Sequence, residues 1–280
     1  MKYLPFLDGQ NSTDLTIFQL DYQYHTYLNN KFECRKEAID KYYLEKDLYP
    51  DTLIEANKLL AGQLVKEYPA DFVLTEQKGH YAFHNKITGG TLEWKNDWIA
   101  IEHWSYISLF DALSSQVQED IAICQLENER DWLAAIHLSA PNHWSPAEKI
   151  GRPFGVVHSV VPGMEKDPFI RFAWDISTDT RLNHHPIPPP GVHIDDWQGR
   201  SIEGNNSKIY LRVERQVIVG IPARNAFMFT IRTYFYDIDE LQADERSALL
   251  MAVESMSPSS LEYKRLAGKT EVLKRKLQKV

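Results

Sequence analysis

The stretch LRVERQVIVGIPARNAFMFTIRTYFY, residues 211–236, constrains the fold more than any other part of the chain. Two runs rich in Val, Ile, Phe and Tyr flank a short turn, the pattern of a long antiparallel hairpin. Yet the first arm carries Arg212, Glu214, Arg215 and Gln216, and the second carries Arg232. A buried strand tolerates charges only when they are paired. Alternation places Arg212, Glu214 and Gln216 on one face, and Leu211, Val213, Arg215, Val217 and Val219 on the other. On the second arm Met228, Thr230, Arg232 and Tyr234 share a face. Whether Arg232 joins Glu214 depends on register, because a slip of one residue exchanges the faces. Two readings of the charges follow: a network against a cavity or covered surface, and cross-strand pairs on an open sheet face.

The remaining segments indicate what surrounds the hairpin. YPDTLIEANKLLAGQLVKEYPADF predicts a helix, with Thr52 and Glu55 at capping-box spacing and Leu53, Ala56, Leu60 and Leu64 on one stripe. Pro69 closes it, and the segment from Lys36 to Lys46 is also read as helical. EDIAICQL, WLAAIHLSA, FGVVHSVVP and FIRFAWDIS are of strand length and character. HWSPAEKIG predicts a short helix with Ser145 as cap, Pro146 at the first helical position and Gly151 at the stop. Between them and the hairpin, LNHHPIPPPGVHIDDWQGRSIEGNNS reads as a long mobile loop, since prolines 186, 188, 189 and 190 exclude helix and central strand. The C-terminal segments DELQADERSALLMAVESM and SPSSLEYKRLAGKTEVLKRKL are helical. The order is helices, then strands, then helices, which predicts a single α+β domain over residues 1–280 with a mostly antiparallel sheet. Residues 1–70 form its helical N-terminal part, 90–236 the sheet core and 237–280 the C-terminal helices.

Charge and composition exclude several function classes. Thirty-one Lys and Arg stand against 39 Asp and Glu, a net charge of −8, where a nucleic-acid-binding protein shows a basic excess. Cys34 and Cys124 make neither a disulfide framework nor a thiolate metal site. No apolar run reaches the roughly 18 residues of a membrane span, and no secretory leader is recognised, so a cytoplasmic protein without membrane attachment is expected. Neither G-x-G-x-x-G nor G-x-x-x-x-G-K occurs, which argues against a nucleotide enzyme.

Three groups of residues remain as candidates for chemistry. His184, His185 and His193 lie in the proline-rich loop, where a solvated loop is favoured over a metal site. His158 and His137 sit inside apolar strand-like runs, either as satisfied core histidines or as a haem ligand or general base. In QED, residues 118–120, two carboxylates stand at the start of a strand, either solvated or as partners for arginines elsewhere.

The ordered set QED, HWSPAEKIG, VVHSVVPG, RFAWDI, LRVERQ and FTIRTY resembles the haem-dependent oxidative N-demethylase alpha-subunit family, many of whose members were first grouped as a domain of unknown function. The resemblance runs from about Tyr24 to Lys264. It implies a PAS-like antiparallel sheet flanked by N- and C-terminal helices, binding haem b. It implies an oxidoreductase of the monooxygenase type that removes a methyl group from a small secondary amine with O₂ and releases formaldehyde. Electrons would come from NADPH through a separate flavin and iron–sulfur reductase subunit, and a further subunit would bind tetrahydrofolate. The family's I-H-x-P-V-P segment falls on Val157, His158, Val161 and Pro162, with Val160 where the family commonly has proline; this makes His158 the implied axial ligand to the iron. Lys149, Arg171, Arg212, Arg215 and Gln216 are the implied haem-pocket residues. Glu214 or Asp120 would hold the amine as a cation, and Arg232 or Tyr234 would donate to bound oxygen. The alternative is a haem- or ligand-binding PAS-like sensor or carrier without turnover.

Overall fold

The computed structural model describes residues 15–103, 105–128, 130–155, 167–198, 202, 208–221 and 223–278. Its centre is a six-stranded, wholly antiparallel sheet in the order β1-β6-β5-β9-β8-β7. The strands are β1 (Tyr43–Glu45), β5 (Asp120–Glu127), β6 (Arg130–His137), β7 (Phe169–Ser177), β8 (Tyr210–Gly220) and β9 (Ala226–Asp237). Together with helices before and after it, this sheet makes the chain an α+β protein. The strand expected over FGVVHSVVP falls mostly on residues 156–166, outside the described residues.

A second sheet was not foreseen: a meander of β2 (Phe72–Gln77), β3 (His80–Asn85) and β4 (Gly90–Lys95). Lys78 and Gly79 both have positive φ, 52° and 78°, the conformation a two-residue hairpin turn requires. Its inward residues Phe72, Phe83, Leu92 and Trp94 are buried against α2 (Pro50–Glu67).

The long helices differ in detail from the sequence expectation. α1 spans Tyr24–Tyr42, earlier than Lys36–Lys46, and is interrupted at Ala38 (φ −172°, ψ 99°). α2 begins two residues before Thr52, with Tyr49 as cap and Pro50 at the first position. Proline suits that place because its missing N–H has no intrahelical partner there. The stripe Leu53, Ala56, Leu60 and Leu64 is buried as its spacing requires. α4 (Pro146–Lys149) carries the Ser145/Glu148 capping box, and Gly151 follows at φ 73°.

The sheet is covered differently on its two faces. One face carries Ile121, Ile123, Val217, Val219 and Met228, packed with α2 and α3 (Leu109–Ser114). Further along that face, Leu211, Val213 and Ile176 pack with α6 (Ala243–Glu254), α7 (Pro258–Tyr263) and α8 (Thr270–Leu277). We call this the back face. The front face carries Ala122, Cys124, Ile218, Phe227 and Phe229, against which Trp144, Ile150 and Phe154 pack. No helix among the described residues is long and apolar enough to cross a membrane.

Candidate functional site

The register settles the question raised by the hairpin charges. Arg215 pairs with Arg232, Glu214 with Thr233, Gln216 with Ile231 and Arg212 with Phe235. Directly opposed residues share a face. Arg215, Arg232 and Tyr234 therefore lie on the back face, and Arg212, Glu214 and Gln216 on the front. The hairpin charges do not form one wall.

On the back face, two arginines stand opposite each other at 2% and 1% exposure. Like charges so placed repel, so something must bring acceptors to them. It is the segment 15–22, laid across the face as a strap. Arg215 Nη2 donates to Thr16 O at 2.6 Å, and Arg232 Nη2 donates to Asp21 Oδ2 at 2.9 Å. The Arg232 guanidinium also lies 3.7 Å from the Tyr27 ring centre and 4.7 Å from that of Tyr234, a favourable cation–π arrangement. The Tyr234 hydroxyl donates to Gln19 Oε1. Arg232 and Tyr234, expected at the reacting centre, hold the strap instead.

The QED carboxylates are buried rather than solvated. Glu119 is fully buried, accepts the Gln19 N–H at 2.8 Å and leaves Oε2 without a hydrogen-bond partner among the described residues. Burial pushes its carboxyl above the ordinary glutamate range, against the pull of Arg232. Asp120 is 2% exposed and accepts three hydrogen bonds, from Ser139 N (2.6 Å), Ser139 Oγ (2.8 Å) and Ala140 N (2.9 Å). It shapes the turn after β6. His137 is a core histidine whose Nε2 lies 3.2 Å from Asp111, which also binds Arg35. Burial pulls its pKa below the usual histidine value.

The front face gathers a different set. Cross-strand pairing aligns Arg171 with Gln216, Ala173 with Glu214, and Asp175 with Arg212. Glu214 is thus flanked across the sheet by two small residues, Ala173 and Thr233, and along its own strand by two long ones. Arg212 approaches Oε1 (Nη2 3.3 Å, Nε 3.4 Å), and Gln216 Nε2 donates to Oε2 at 3.0 Å. Arg171 Nε donates to Gln216 Oε1 at 2.7 Å. Arg212 is itself anchored by Ala140 O at 2.6 Å, Thr233 Oγ1 at 3.2 Å and Leu182 O at 3.4 Å. The Glu214 side chain keeps 18% exposure, so this is a fixed, partly exposed carboxylate. The half-buried aromatic residues Trp144 and Phe154 and the half-buried Ile231 belong to the apolar cluster of the same face.

Matching the chain to family models gives one result that covers nearly all of it. Residues 9–274 match the family described as haem-dependent oxidative N-demethylase, alpha subunit-like. The chain belongs to that family. As a family member it calls for a haem, and the front face offers the two kinds of contact such a group takes: apolar side chains for the ring, and cations for the propionates. Arg171 is exposed, and its terminal nitrogens have no partner among the described residues, so they remain for an anionic ligand. Lys149 is exposed at the end of α4, which packs at the β1 and β6 side of the sheet, while Arg171 lies on the opposite edge strand. Arg212 donates to main-chain carbonyls, Thr233 Oγ1 and Glu214, the terminal nitrogens of Arg215 donate to the carbonyls of Ile17 and Thr16, and Gln216 donates to Glu214. His158 lies outside the described residues. The described residues on either side of it, Phe154 and Phe169, both belong to the front face: Phe154 stacks edgewise on Phe229 at 5.1 Å, and Phe169 pairs with Ile218.

The proline-rich loop is more ordered than its composition suggests. His184 and His185 are buried at 2% each, while His193 is exposed. Trp197, in the short helix α5 (Ile194–Gln198), donates its indole N–H to His185 O at 2.6 Å, and Asn183 donates to the Tyr42 hydroxyl at 2.8 Å. His143, His184, His185, Trp197 and Arg265 line a cleft with about 20 Å³ of free interior, room for one water and not for a cofactor. Among the described residues, no three His, Cys, Asp or Glu side chains are grouped so as to hold a metal ion.

Proposed function

We propose that this chain is the haem-binding subunit of an oxidative amine demethylase that acts on a small secondary amine. The observation that carries this reading is the Glu214 carboxylate. Each of its oxygens accepts a donor from a neighbouring side chain, and its partial exposure leaves acceptor capacity for a further donor. A protonated secondary amine, with two N–H donors and a positive charge, is a natural partner for such a group. The half-buried apolar side chains of the front face would receive its methyl groups. Asp120 has no comparable capacity, because three donors of its own chain already occupy it. Glu214 is therefore our candidate for the amine and Asp120 for the support beneath it.

His158 would hold the haem iron, with Arg171 at a propionate and Lys149 as a further cation. When bound, haem supplies the oxidation of the N-methyl group by O₂. One methyl carbon leaves as formaldehyde with one oxygen atom, the amine nitrogen gains a hydrogen in place of the broken N–C bond, and the second oxygen atom leaves as water. Two electrons and two protons are required, and separate flavin and iron–sulfur modules would deliver the electrons. Glu214 would hold the ammonium ion and accept its proton when the free amine reacts.

The test begins with protein produced in ample haem. A Soret band is expected, lost or displaced by His158→Ala and perturbed by dimethylamine. With a supplied reductase, formaldehyde should appear, and Glu214→Gln should raise KM for the amine. Folded protein without a Soret band overturns the reading. A normal Soret band without formaldehyde from any small secondary amine replaces the enzyme by a haem-binding sensor or carrier.

A further inference from the structure

Glu214 does not stand alone on the front face; it ends a chain of side chains that begins at the sheet edge. Arg171, on the edge strand β7, is exposed and donates through Nε to the Gln216 amide. A guanidinium has donors only, so the amide must turn its oxygen toward Arg171. That leaves the Gln216 NH₂ facing Glu214 Oε2, where it donates at 3.0 Å. If the amide were reversed, its oxygen would face the carboxylate and its NH₂ the guanidinium. Both contacts would become repulsive. Arg171 therefore selects which end of Gln216 meets Glu214.

We propose that Arg171 and Gln216 form a positioning relay that orients the Glu214 carboxylate for a cationic amine. The proposal rests on the reading that Glu214 receives the amine. Neither relay residue needs to touch the substrate. Arg212 restrains Oε1 through longer contacts of 3.3 and 3.4 Å, so the Gln216 bond is the shorter of the two restraints. Without it the carboxylate can turn both oxygens to the Arg212 guanidinium, with which Oε1 already pairs at 3.3 Å, and away from an incoming amine. Of the small residues on either side, Ala173 has no polar side chain, and the Thr233 hydroxyl accepts from Arg212 Nη2 at 3.2 Å.

The two residues act in series, which gives the relay a signature that independent roles lack. Dimethylammonium chloride binding is measured by calorimetry on the full chain for wild type, Arg171→Met, Gln216→Met and the double variant. Each single variant should weaken binding about tenfold, and the double variant also about tenfold rather than a hundredfold, because coupled residues are not additive. Arg171→Lys keeps a donor for the amide oxygen and should stay within about twofold of wild type. Binding of acetone, neutral and of similar size, should be the same in all variants, whereas a general structural defect would affect both ligands. Arg171 is exposed, so its variant leaves the core intact, and an unchanged Soret band in that variant separates the relay from the loss of a propionate contact.

Additive losses in the double variant, or an unchanged Arg171→Met, would overturn the relay. Glu214→Gln distinguishes the two levels of the proposal. If it leaves dimethylammonium binding unchanged, the assignment of Glu214 to the amine fails. If it abolishes binding while the relay variants have no effect, the relay alone fails.

Discussion

Replacing Asp120 with alanine tests whether the turn after β6 depends on one carboxylate. Asp120 accepts two main-chain N–H groups and one hydroxyl, and the residues that donate them are closed from solvent: Ser139 is 3% exposed and Ala140 8%. The Ser139 hydroxyl can rotate toward another acceptor, but the two N–H groups cannot. A buried donor left without a partner costs about 1–3 kcal/mol. Two of them, together with the lost charge-assisted bond to the hydroxyl, give about 3–5 kcal/mol for Asp120→Ala. Asp120→Asn keeps one oxygen for Ser139 and turns an NH₂ toward the Ala140 N–H, for about 1–2 kcal/mol. Urea unfolding followed by tryptophan fluorescence should show this directly. At a slope near 3 kcal/mol/M, the midpoint for Asp120→Ala falls by about 1–1.7 M at constant slope. A loss below about 1 kcal/mol would show that the donors find water and that Asp120 does not build the turn. Because Ala140 O also anchors Arg212, the same substitution should loosen the support of Glu214.

Two buried charges make predictions with a pH axis. Lys31 is 4% exposed, donates to Ser114 O and Glu119 O, and burial pulls its pKa down to about 8. A depressed folded pKa means that the unfolded chain binds more protons between about pH 8 and 10.5, so this group's contribution rises with pH across that window and is lost as pH falls through 8. Lys31→Met should therefore destabilise more at pH 9.5 than at pH 7, as read from urea midpoints at both values. Glu119 has the opposite sign: its folded pKa is raised, so its contribution is complete below about 4.5 and is lost as pH climbs through the folded value. Glu119→Gln should raise the melting temperature at pH 7.5, and the gain should shrink toward pH 4.5; a constant gain would show that the amide acts by other means.

Much of the sheet was legible because its strands are apolar runs of strand length, alternating with charges only in the hairpin, and α4 because Ser145, Pro146 and Gly151 mark its ends. The parity of the hairpin charges was legible as well: Arg212, Glu214 and Gln216 do share a face. The position of Arg232 was not, since register comes from pairing between strands and from what covers them. The partners of Arg215 and Arg232 are Thr16 and Asp21, with no local signal linking them to the hairpin. The meander β2–β4 escaped because its strands are short and half exposed, although Lys78-Gly79 is a hairpin signal. Prolines 186–190 suggested a mobile loop, where Trp197, Asn183 and Tyr42 in fact fasten the adjoining residues. The site is legible only in part: Glu214 and its neighbours emerge from the strand pattern, whereas the separation of Lys149 from Arg171 follows from strand order, which no single segment encodes.

The strap across the back face also sets a timetable. Thr16 and Arg215 are 199 positions apart in the chain, and Asp21 and Arg232 are 211. At a synthesis rate of about 5–20 residues per second, the strap leaves the ribosome roughly 10–40 s before its arginines. Its first handhold is closer: Glu67 accepts the N–H groups of Ile17 and Phe18, only 50 and 49 positions away. The strap can thus dock on α2 early and wait there, its carbonyls and Asp21 turned toward strands not yet made. When the hairpin arrives, its two facing arginines meet acceptors already in place, and the last strands are added to a surface that the first residues prepared.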